Sequence, residues 1–275
     1  MRKTLKTLGG IAAFAVLAVS AAGSAQADKL DDIIDSGELR CSVTLDFPPI
    51  GYRDQNNEPA GFDVEYCKDM AKALGVDAVI VDTPFPDRIP ALVSNRADIS
   101  IASASDTLER AKTVAFSVPY IAYTNRVVTR KDTGIQNFDD LKGRKVGGVS
   151  GTTPEQNFLE HYKNWGDSGG DYVSYQSDSD QYLALAQGKI DAFVTASTTA
   201  ATLMNSGKYK DFAAVGEAPF PVDICGIMVN RHEYGLLNWV NLFVNRQVRS
   251  GRYQELYEQF VGGEAPKLAV SGVYY

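Results

Sequence analysis

The chain has 275 residues, of which 44% are hydrophobic and 22% are charged, and its formal net charge is −7 at pH 7. An acidic excess repels nucleic acids and anionic lipid, so small solutes or proteins are the expected partners and nucleic acid is not. This length fits one large domain or two lobes of ordinary size.

The first 27 residues have the three parts of a secretory signal peptide. They begin with three cations, continue with an apolar run over residues 11–19, and end in a small-x-small cleavage site at residues 25–27. The apolar run is shorter than a membrane-spanning helix needs, and no cysteine for a lipid anchor follows it closely. We expect export with cleavage after Ala27, which removes three cations and no acid and changes the formal charge from −7 to −10.

Three cysteines, Cys41, Cys67 and Cys225, follow this segment. They allow one disulfide at most, and none has the spacing of a metal site. Cys41 falls in a predicted strand and Cys67 falls on the helix predicted to cover that strand. A disulfide between these two is one interpretation, and buried free thiols are the other.

The first half of the chain alternates predicted strands and helices. Residues 39–44 form a predicted strand, and a turn-rich stretch with consecutive prolines follows at residues 46–59. Apolar residues then recur every fourth position from Phe62 to Leu74, which predicts an amphipathic helix ended by Gly75. A further strand and a further helix are predicted at residues 79–81 and 89–94. This alternation favours a largely parallel sheet with ligand sites at the carboxyl ends of its strands.

Two stretches of the chain share one layout. Residues 92–101 and residues 185–194 each contain a helix end, a basic residue, an apolar residue, an aspartate and an alternating strand. One such match can arise by chance, but two similar lobes with one copy each explain it better. Between and after the copies, extended crossovers are predicted at residues 121–129 and 215–219, and amphipathic helices at residues 236–248 and 253–261.

These crossovers predict the domain organisation. We expect a discontinuous lobe 1, formed by residues 28–122 and 218–275, with a lobe 2 of residues 123–217 inserted into it. Two parallel crossovers between lobes make a hinge, which is the geometry of a closing clamp.

The strand of the first copy runs into a candidate carboxylate site. It ends in the hydroxyls of Ser103 and Ser105, and Asp106 with Glu109 has the spacing of a capping box, which predicts a short helix carrying Arg110. Strand-end hydroxyls beside a fixed guanidinium suit a carboxylate, because the planar fork binds both oxygens. A solvated arginine on a surface helix is the alternative.

A second candidate site is the glycine- and threonine-rich helix start at residues 146–155. Its free N–H groups, the helix dipole and the hydroxyls of Thr152 and Thr153 attract an anion. The alternative is an ordinary capped helix N-terminus that binds no ligand. Phe47 and Phe85 lie beside prolines on stiff loops, where an aromatic ring either stacks on a ligand or belongs to the core.

No motif for catalysis, a metal or a cofactor stands out. The segment at residues 146–155 lacks the sequence of a phosphate loop or of a nucleophile elbow. The two histidines, His161 and His232, lie in polar surroundings without the spacing of metal ligands, which predicts surface residues. We therefore expect no enzymatic activity, no metal site and no cofactor.

In this order, the segments resemble the polar amino-acid-binding family of ABC-importer solute-binding proteins, over essentially all of the chain after the signal. The shared sequence motifs include Phe47-Pro48-Pro49, Gly61-Phe62-Asp63, Leu108-Glu109-Arg110, Ser150-Gly151-Thr152-Thr153 and Gly251-Arg252-Tyr253. The resemblance implies a two-lobed α/β fold of the type II periplasmic-binding-protein kind. In that fold each lobe is a mostly parallel sheet flanked by helices, and a two-strand hinge joins the lobes.

The resemblance also implies a ligand site between the lobes. It assigns aromatic walls to Phe47 and Phe85, the carboxylate-binding arginine to Arg110, and hydroxyl donors to both lobes. Arg88 looks most like the acidic-amino-acid branch, so a second carboxylate on the ligand is a hypothesis. The full set of predicted ligand contacts is Phe47, Asp63, Phe85, Arg88, Ser103, Ser105, Arg110, Thr152, Thr153 and Asp178.

One position departs from the family pattern. The family usually holds the α-ammonium of its ligand with an aspartate just after the second copy's strand, where this chain has Ala196. A buried ammonium without a carboxylate partner is costly. Either the ligand has no ordinary α-ammonium there, or another acid substitutes. The candidate acids are Asp46, Asp63, Asp178, Asp180 and Asp223.

The resemblance predicts a function and an alternative. The prediction is a monomeric periplasmic protein that captures a small carboxylate-bearing solute by hinge closure and delivers it to the membrane permease of an ABC importer. The alternative is a periplasmic enzyme on the same scaffold, similar to cyclohexadienyl or prephenate dehydratases, which needs a general acid in the cleft. No acid in the sequence is singled out for that role.

Overall fold

The structure is a computed structural model that describes residues 28–166 and 169–268. The predicted signal peptide, residues 1–27, lies outside the described residues. Among the described helices, none combines the length and the apolarity that crossing a bilayer requires.

Strands and α-helices are numbered here in chain order. The strands are β1 (Glu38–Val43), β2 (Asp46–Phe47), β3 (Gly51–Arg53), β4 (Pro59–Ala60), β5 (Asp77–Asp82), β6 (Ile99–Ser105), β7 (Val114–Tyr123), β8 (Asn125–Arg130), β9 (Lys145–Val149), β10 (Asp171–Tyr175), β11 (Ala192–Ala196), β12 (Phe212–Glu217) and β13 (Asp223–Asn230). The α-helices are α1 (Lys29–Ser36), α2 (Phe62–Leu74), α3 (Arg88–Val93), α4 (Thr153–Asn164), α5 (Asp178–Ala186), α6 (Ser197–Asn205), α7 (Tyr234–Arg249) and α8 (Arg252–Phe260).

Two five-stranded sheets have the same arrangement. The first has the order β5-β1-β6-β13-β7 and the second has the order β10-β9-β11-β8-β12. In each sheet the first three strands are parallel, and the fourth is antiparallel to both of its neighbours. The two-lobed α/β architecture is therefore confirmed, and the strands of the two sequence copies, β6 and β11, hold the same third place.

The aspartate that the two copies share has the same task in both sheets. Oδ2 of Asp98 accepts the backbone N–H of Arg40 in β1 at 2.9 Å, and Oδ2 of Asp191 accepts the backbone N–H of Lys145 in β9 at 3.0 Å. Each carboxylate thus binds a backbone donor of the neighbouring parallel strand, which explains why both copies keep an acid at this position.

Helix α2 covers the first sheet as its periodicity predicts. Phe62, Tyr66 and Met70 are fully buried, and Gly75 ends the helix with a left-handed φ of 78°. A disulfide joins Cys67 of this helix to Cys41 of β1, so the bridged interpretation is the one that the structure contains. The remaining cysteine is a buried free thiol.

The chain passes between the sheets at two places. It leaves β7 at Tyr123 and enters β8 at Asn125, and it returns between Glu217 of β12 and Asp223 of β13. These crossings lie beside the predicted lobe boundaries. The part built on the first sheet is called lobe 1, and the part built on the second sheet is called lobe 2.

The predicted short helix with a capping box at Asp106 is wrong. The backbone N–H of Asp106 continues the pairing with β13, and the residues that follow form only a 3₁₀ turn over Arg110–Lys112. Thr107 rather than Asp106 accepts the backbone N–H of Arg110, and Glu109 pairs with Lys112 instead of reaching back to the cap. Sheet pairing therefore overrides the local capping signal.

Candidate functional site

A small cavity of about 40 Å³ lies at the junction of the two lobes. It is placed at the carboxyl ends of β6, β9 and β11, where the strand pattern predicts a ligand site. Lobe 1 lines it with Phe47, Phe85, Arg88, Ser103, Ser105, Tyr123 and Asp223. Lobe 2 lines it with Val149, Thr152, Thr153, Pro154, Asp178, Gln181, Val194, Thr195 and Ala196.

Eight of the ten predicted ligand contacts line this cavity, and Asp63 and Arg110 do not. Asp63 lies one layer deeper, where its Oδ1 accepts the hydroxyl of Tyr120 at 3.0 Å. The oxygen of Tyr120 in turn accepts the backbone N–H of Ser103 at 2.9 Å. Asp63 therefore positions the end of β6 instead of forming a wall of the cavity.

The aromatic side of the cavity contains three rings. Phe47 packs edge to face on Phe85, with ring centroids 5.2 Å apart, and on Tyr123, with centroids 6.2 Å apart. The hydroxyls of Tyr123 and Ser103 are 2.8 Å apart and hydrogen-bonded. Ser103 has a φ of 49°, an uncommon value for a residue with a side chain, and such backbone strain clusters at functional sites.

Arg88 is a buried guanidinium in the floor of the cavity. It makes four hydrogen bonds, all to backbone carbonyl oxygens, of Phe85, Ala102, Ser103 and, across the lobes, Gly151. Its carbon Cζ also lies 4.9 Å from the centroid of the Phe85 ring. Burial, with the nearby charge of Arg110, lowers the pKa of Arg88 to about 9.

Arg110 lies at the edge of the cavity and joins the lobes. Its Nη1 donates to the carbonyl oxygen of Ser105 at 3.0 Å, and its Nη2 donates to that of Gly151 at 2.8 Å. The side-chain oxygens of Ser105 and Thr153 form a second link between the lobes, 2.5 Å long. Guanidinium and hydroxyl donors from both lobes thus converge on one point, which is the chemistry of a carboxylate site.

Thr152 and Thr153 have different tasks. Thr152 is the N-cap of α4, since its hydroxyl oxygen accepts the backbone N–H of Glu155, and its hydroxyl donates to Val149. Thr153, the first residue of the helix, points its hydroxyl at lobe 1. The two interpretations of this segment, a capped helix and a ligand site, are therefore divided between two adjacent residues.

Acceptor groups line the side of the cavity formed by α5. Asp178 is 4% exposed and Gln181 is 1% exposed, and both reach the cavity from one face of the helix. Burial, with the nearby charge of Asp46, raises the pKa of Asp178 well above its usual range. Ala196 occupies the adjoining wall at the end of β11 and carries no polar side chain.

Comparison with known families identifies the chain. The model of the bacterial extracellular solute-binding proteins, family 3, matches residues 39–263. The chain belongs to this family.

Relatives of this family-3 protein include binding proteins with named ligands. The L-cystine-binding protein TcyJ of Escherichia coli K12 is 29% identical over 95% of this chain and 97% of its own length. The solved substrate-binding protein of an amino acid ABC transporter is 29% identical, with a TM-score of 0.75 over 82% of this chain and all of that chain. The ancestral amino acid-binding protein AncCDT-1, described as a precursor of cyclohexadienyl dehydratase, is 30% identical, with a TM-score of 0.76 over 84% of this chain and 99% of its own.

The family-3 cavity contains residues that the sequence did not point to, notably Tyr123 and Gln181. Gln181 follows Asp178 by three residues, so both lie on one face of α5. This three-residue spacing could have indicated Gln181 as a second residue of the cavity, once the face of α5 that carries Asp178 is known to line it. Among the described residues, histidine, cysteine and acidic side chains nowhere gather in a group of three or more that could hold a metal ion.

Proposed function

We propose that this protein captures an amino acid, or an amino-acid-like solute with a carboxylate, and delivers it to the membrane permease of an ABC importer. The observation that carries the proposal is the cavity between the lobes, at whose edge Arg110 and the hydroxyls of Ser105 and Thr153 converge. The ligand of TcyJ and the transport role of the solved amino acid ABC transporter component support this class of solute and partner.

In this proposal the protein is an exported monomer, which is cleaved after Ala27 and acts in the periplasm. Its hinge is formed by the crossings between β7 and β8 and between β12 and β13, which divide residues 28–122 and 218–275 from residues 123–217. Membership of an extracellular solute-binding family supports this location.

The contacts that cross the cleft support capture by closure. Arg110 donates to the carbonyl oxygen of Gly151, and a carboxylate is a stronger acceptor for a guanidinium than a neutral carbonyl is. A solute carboxylate would therefore replace Gly151 on Arg110 and also accept from the Thr153 hydroxyl. Because those donors belong to different lobes, the solute stabilises the closed state specifically.

The geometry supports one carboxylate better than two. Arg88, the residue behind the hypothesis of a second carboxylate, uses its guanidinium for four backbone carbonyl oxygens. Its task in the proposed mechanism is to hold the ends of β6 and the Gly151 turn. Arg110, with two fewer such contacts to backbone, is the group left for the solute.

The proposal includes no catalytic step. AncCDT-1 is itself described as an amino acid-binding protein, so a neighbour with an enzymatic descendant does not favour an enzyme here. Incubation with prephenate and ultraviolet detection of phenylpyruvate test the alternative directly, and we expect no product above the uncatalysed rate.

The proposed function is tested by ligand-induced thermal stabilisation. Solute released by denaturing the purified protein is identified by mass spectrometry, and a panel of amino acids and betaines is screened by thermal shift. We expect at least one α-carboxylate compound to raise the Tm of the wild type, since a ligand that binds only the folded state stabilises it. Arg110→Ala should abolish that shift.

Arg96→Ala is the matched control, because Arg96 is an exposed arginine of lobe 1 away from the cavity. Its thermal shift should equal that of the wild type. An unchanged shift in Arg110→Ala would contradict the carboxylate assignment.

A further inference from the structure

Three of the five acids that could replace the missing aspartate at position 196 are engaged away from the cavity. Asp46 accepts two hydrogen bonds from the first turn of α5. Asp63 accepts the hydroxyl of Tyr120 below the cavity. Asp180 is exposed to solvent and accepts from the cap of its own helix. None of the three lines the cavity.

Asp223 lines the cavity but lies in the field of the arginines. Burial raises the pKa of Asp223, and the nearby charges of Arg110 and Arg88 offset part of that rise. Its Oδ1 is also buried without a hydrogen-bond partner among the described residues, but its charged neighbours are the two guanidinium groups of lobe 1. A solute cation at this place would face both arginines and be repelled.

Asp178 is the remaining acid, and its surroundings differ. It is 4% exposed, has no ion-pair partner among the described residues, and has another anion, Asp46, as its charged neighbour. A buried carboxylate of this kind is costly unless a cation or several donors reach it. The wall opposite the arginines thus offers a buried carboxyl group that no cation of the described residues pairs with, and a cation on the solute would favour its ionised form.

Gln181 provides an independent sign of a ligand on the same wall. Its Nε2 donates to Oδ1 of Asp178 at 3.5 Å, which directs the amide oxygen away from the carboxylate. That oxygen, Oε1, is buried and has no hydrogen-bond partner within residues 28–166 and 169–268. Because buried acceptors are almost always satisfied, an unpartnered one in a cavity wall calls for a donor on the solute.

We infer that Asp178 and Gln181 form a cation subsite on α5, which takes the ammonium group of a zwitterionic solute in place of an aspartate at position 196. The inference rests on the proposed function, because it concerns the same cavity. An ammonium group has three N–H donors, which suit the Asp178 carboxylate and the amide oxygen of Gln181. Arg110 and Asp178 then hold opposite charges of one solute from lobe 1 and lobe 2.

The test uses pairs of probes that differ in one group. L-alanine and L-lactate, L-aspartate and L-malate, L-glutamate and L-2-hydroxyglutarate, and L-phenylalanine and L-phenyllactate each exchange an α-ammonium for a hydroxyl. Dissociation constants are measured by calorimetry for every pair in which either member stabilises the protein. We expect the wild type to prefer the ammonium member by about a hundredfold or more, since a charge-assisted contact is lost without it.

Asp178→Asn should reduce that preference to roughly tenfold or less, by weakening the ammonium member while the hydroxyl member changes little. Gln181→Leu should reduce it to a smaller extent. Asp180→Asn is the matched control, because Asp180 is exposed on the same helix and does not line the cavity. It should retain the preference of the wild type.

The outcomes separate the two proposals. If no carboxylate probe binds the wild type, the proposed function fails and the cation subsite fails with it. If carboxylates bind but the ammonium and hydroxyl members bind equally, or Asp178→Asn keeps the full preference, the cation subsite is overturned and the proposed function stands.

Discussion

Asp178 combines the position of the proposed cation subsite with a cost to stability. It is buried beside Asp46, and both effects raise its pKa. The folded protein therefore holds the proton of this carboxyl more tightly than the unfolded chain does. This contribution to stability is complete below the unfolded pKa, about 4, and is lost as the pH rises towards the higher folded pKa.

Asp178→Asn should therefore stabilise the ligand-free protein at neutral pH. The side chain of asparagine does not ionise, and each pH unit between the two pKa values of the wild type costs about 1.4 kcal/mol. We expect the free energies of unfolding of variant and wild type to be close at pH 4 and to diverge in favour of the variant by pH 7. Urea unfolding of protein stripped of solute by denaturation and refolding measures this difference. A variant that is equally or less stable at pH 7 would contradict it.

The sequence indicates which residues lie near the cavity better than it indicates their contacts. Three of the predicted ligand contacts that line the cavity are Ser105 at a strand end and Thr153 and Asp178 at helix starts. Arg88 also reaches the wall, but its hydrogen bonds go to carbonyl oxygens, one of them in the other lobe. No local sequence pattern predicts that the carbonyl of Gly151 lies beside Arg88. No pattern distinguishes the buried amide of Gln181 from a solvated one either.

Helix α5 is capped twice, once from each lobe. Its own N-cap, Ser177, accepts the backbone N–H of Asp180 at 3.1 Å. Asp46 of lobe 1 accepts the backbone N–H of Ser179 at 2.8 Å and its hydroxyl at 2.5 Å. A carboxylate at a helix N-terminus is favourable, so the second cap stabilises the contact between the lobes as well as the helix.

Asp46→Ala should weaken solute binding without lowering the stability of either lobe by much. A capping hydrogen bond contributes about 1 kcal/mol, and the loss here falls only on the closed state, so we expect roughly a three- to tenfold rise in Kd. Asp35→Ala, an exposed acid of α1, serves as the control with unchanged affinity. Calorimetric titration with a solute found by thermal shift measures both variants. An affinity equal to that of the wild type would show that the second cap does not contribute to closure.

A helix was predicted correctly where a single sequence pattern determines it. The four-residue spacing from Phe62 to Leu74 and the glycine after it predicted α2 and its end correctly. The capping signal at Asp106 failed, because the same residues also continue the pairing of β6 with β13. That pairing joins residues more than a hundred positions apart, which no local window contains.

The two lobes have equivalent sheets but meet through unlike surfaces. Lobe 1 brings two guanidinium groups to the junction, and lobe 2 brings the turn at Gly151 and the starts of α4 and α5. Gly151 has a left-handed φ of 78°, and a Cβ atom at this position would lie 2.9 Å from Cα of Pro86 in lobe 1. The packing of the lobes at this point thus depends on the absence of a side chain at Gly151.

Gly151→Ala should hold the lobes apart. The added methyl group meets backbone rather than a flexible side chain, so closure requires a shift of the whole lobe. Gly207→Ala is the matched control, because Gly207 also lies in lobe 2 with a positive φ, of 66°, but has nothing within 4 Å of the added atom. Both variants carry the strain of a left-handed alanine, about 1 kcal/mol, whereas only the first carries the clash.

We therefore expect similar melting temperatures without solute, and a rise in Kd of roughly tenfold or more for Gly151→Ala alone. Small-angle scattering with saturating solute should give Gly151→Ala the larger radius of gyration, and equal radii with equal affinities would show that this contact does not limit closure.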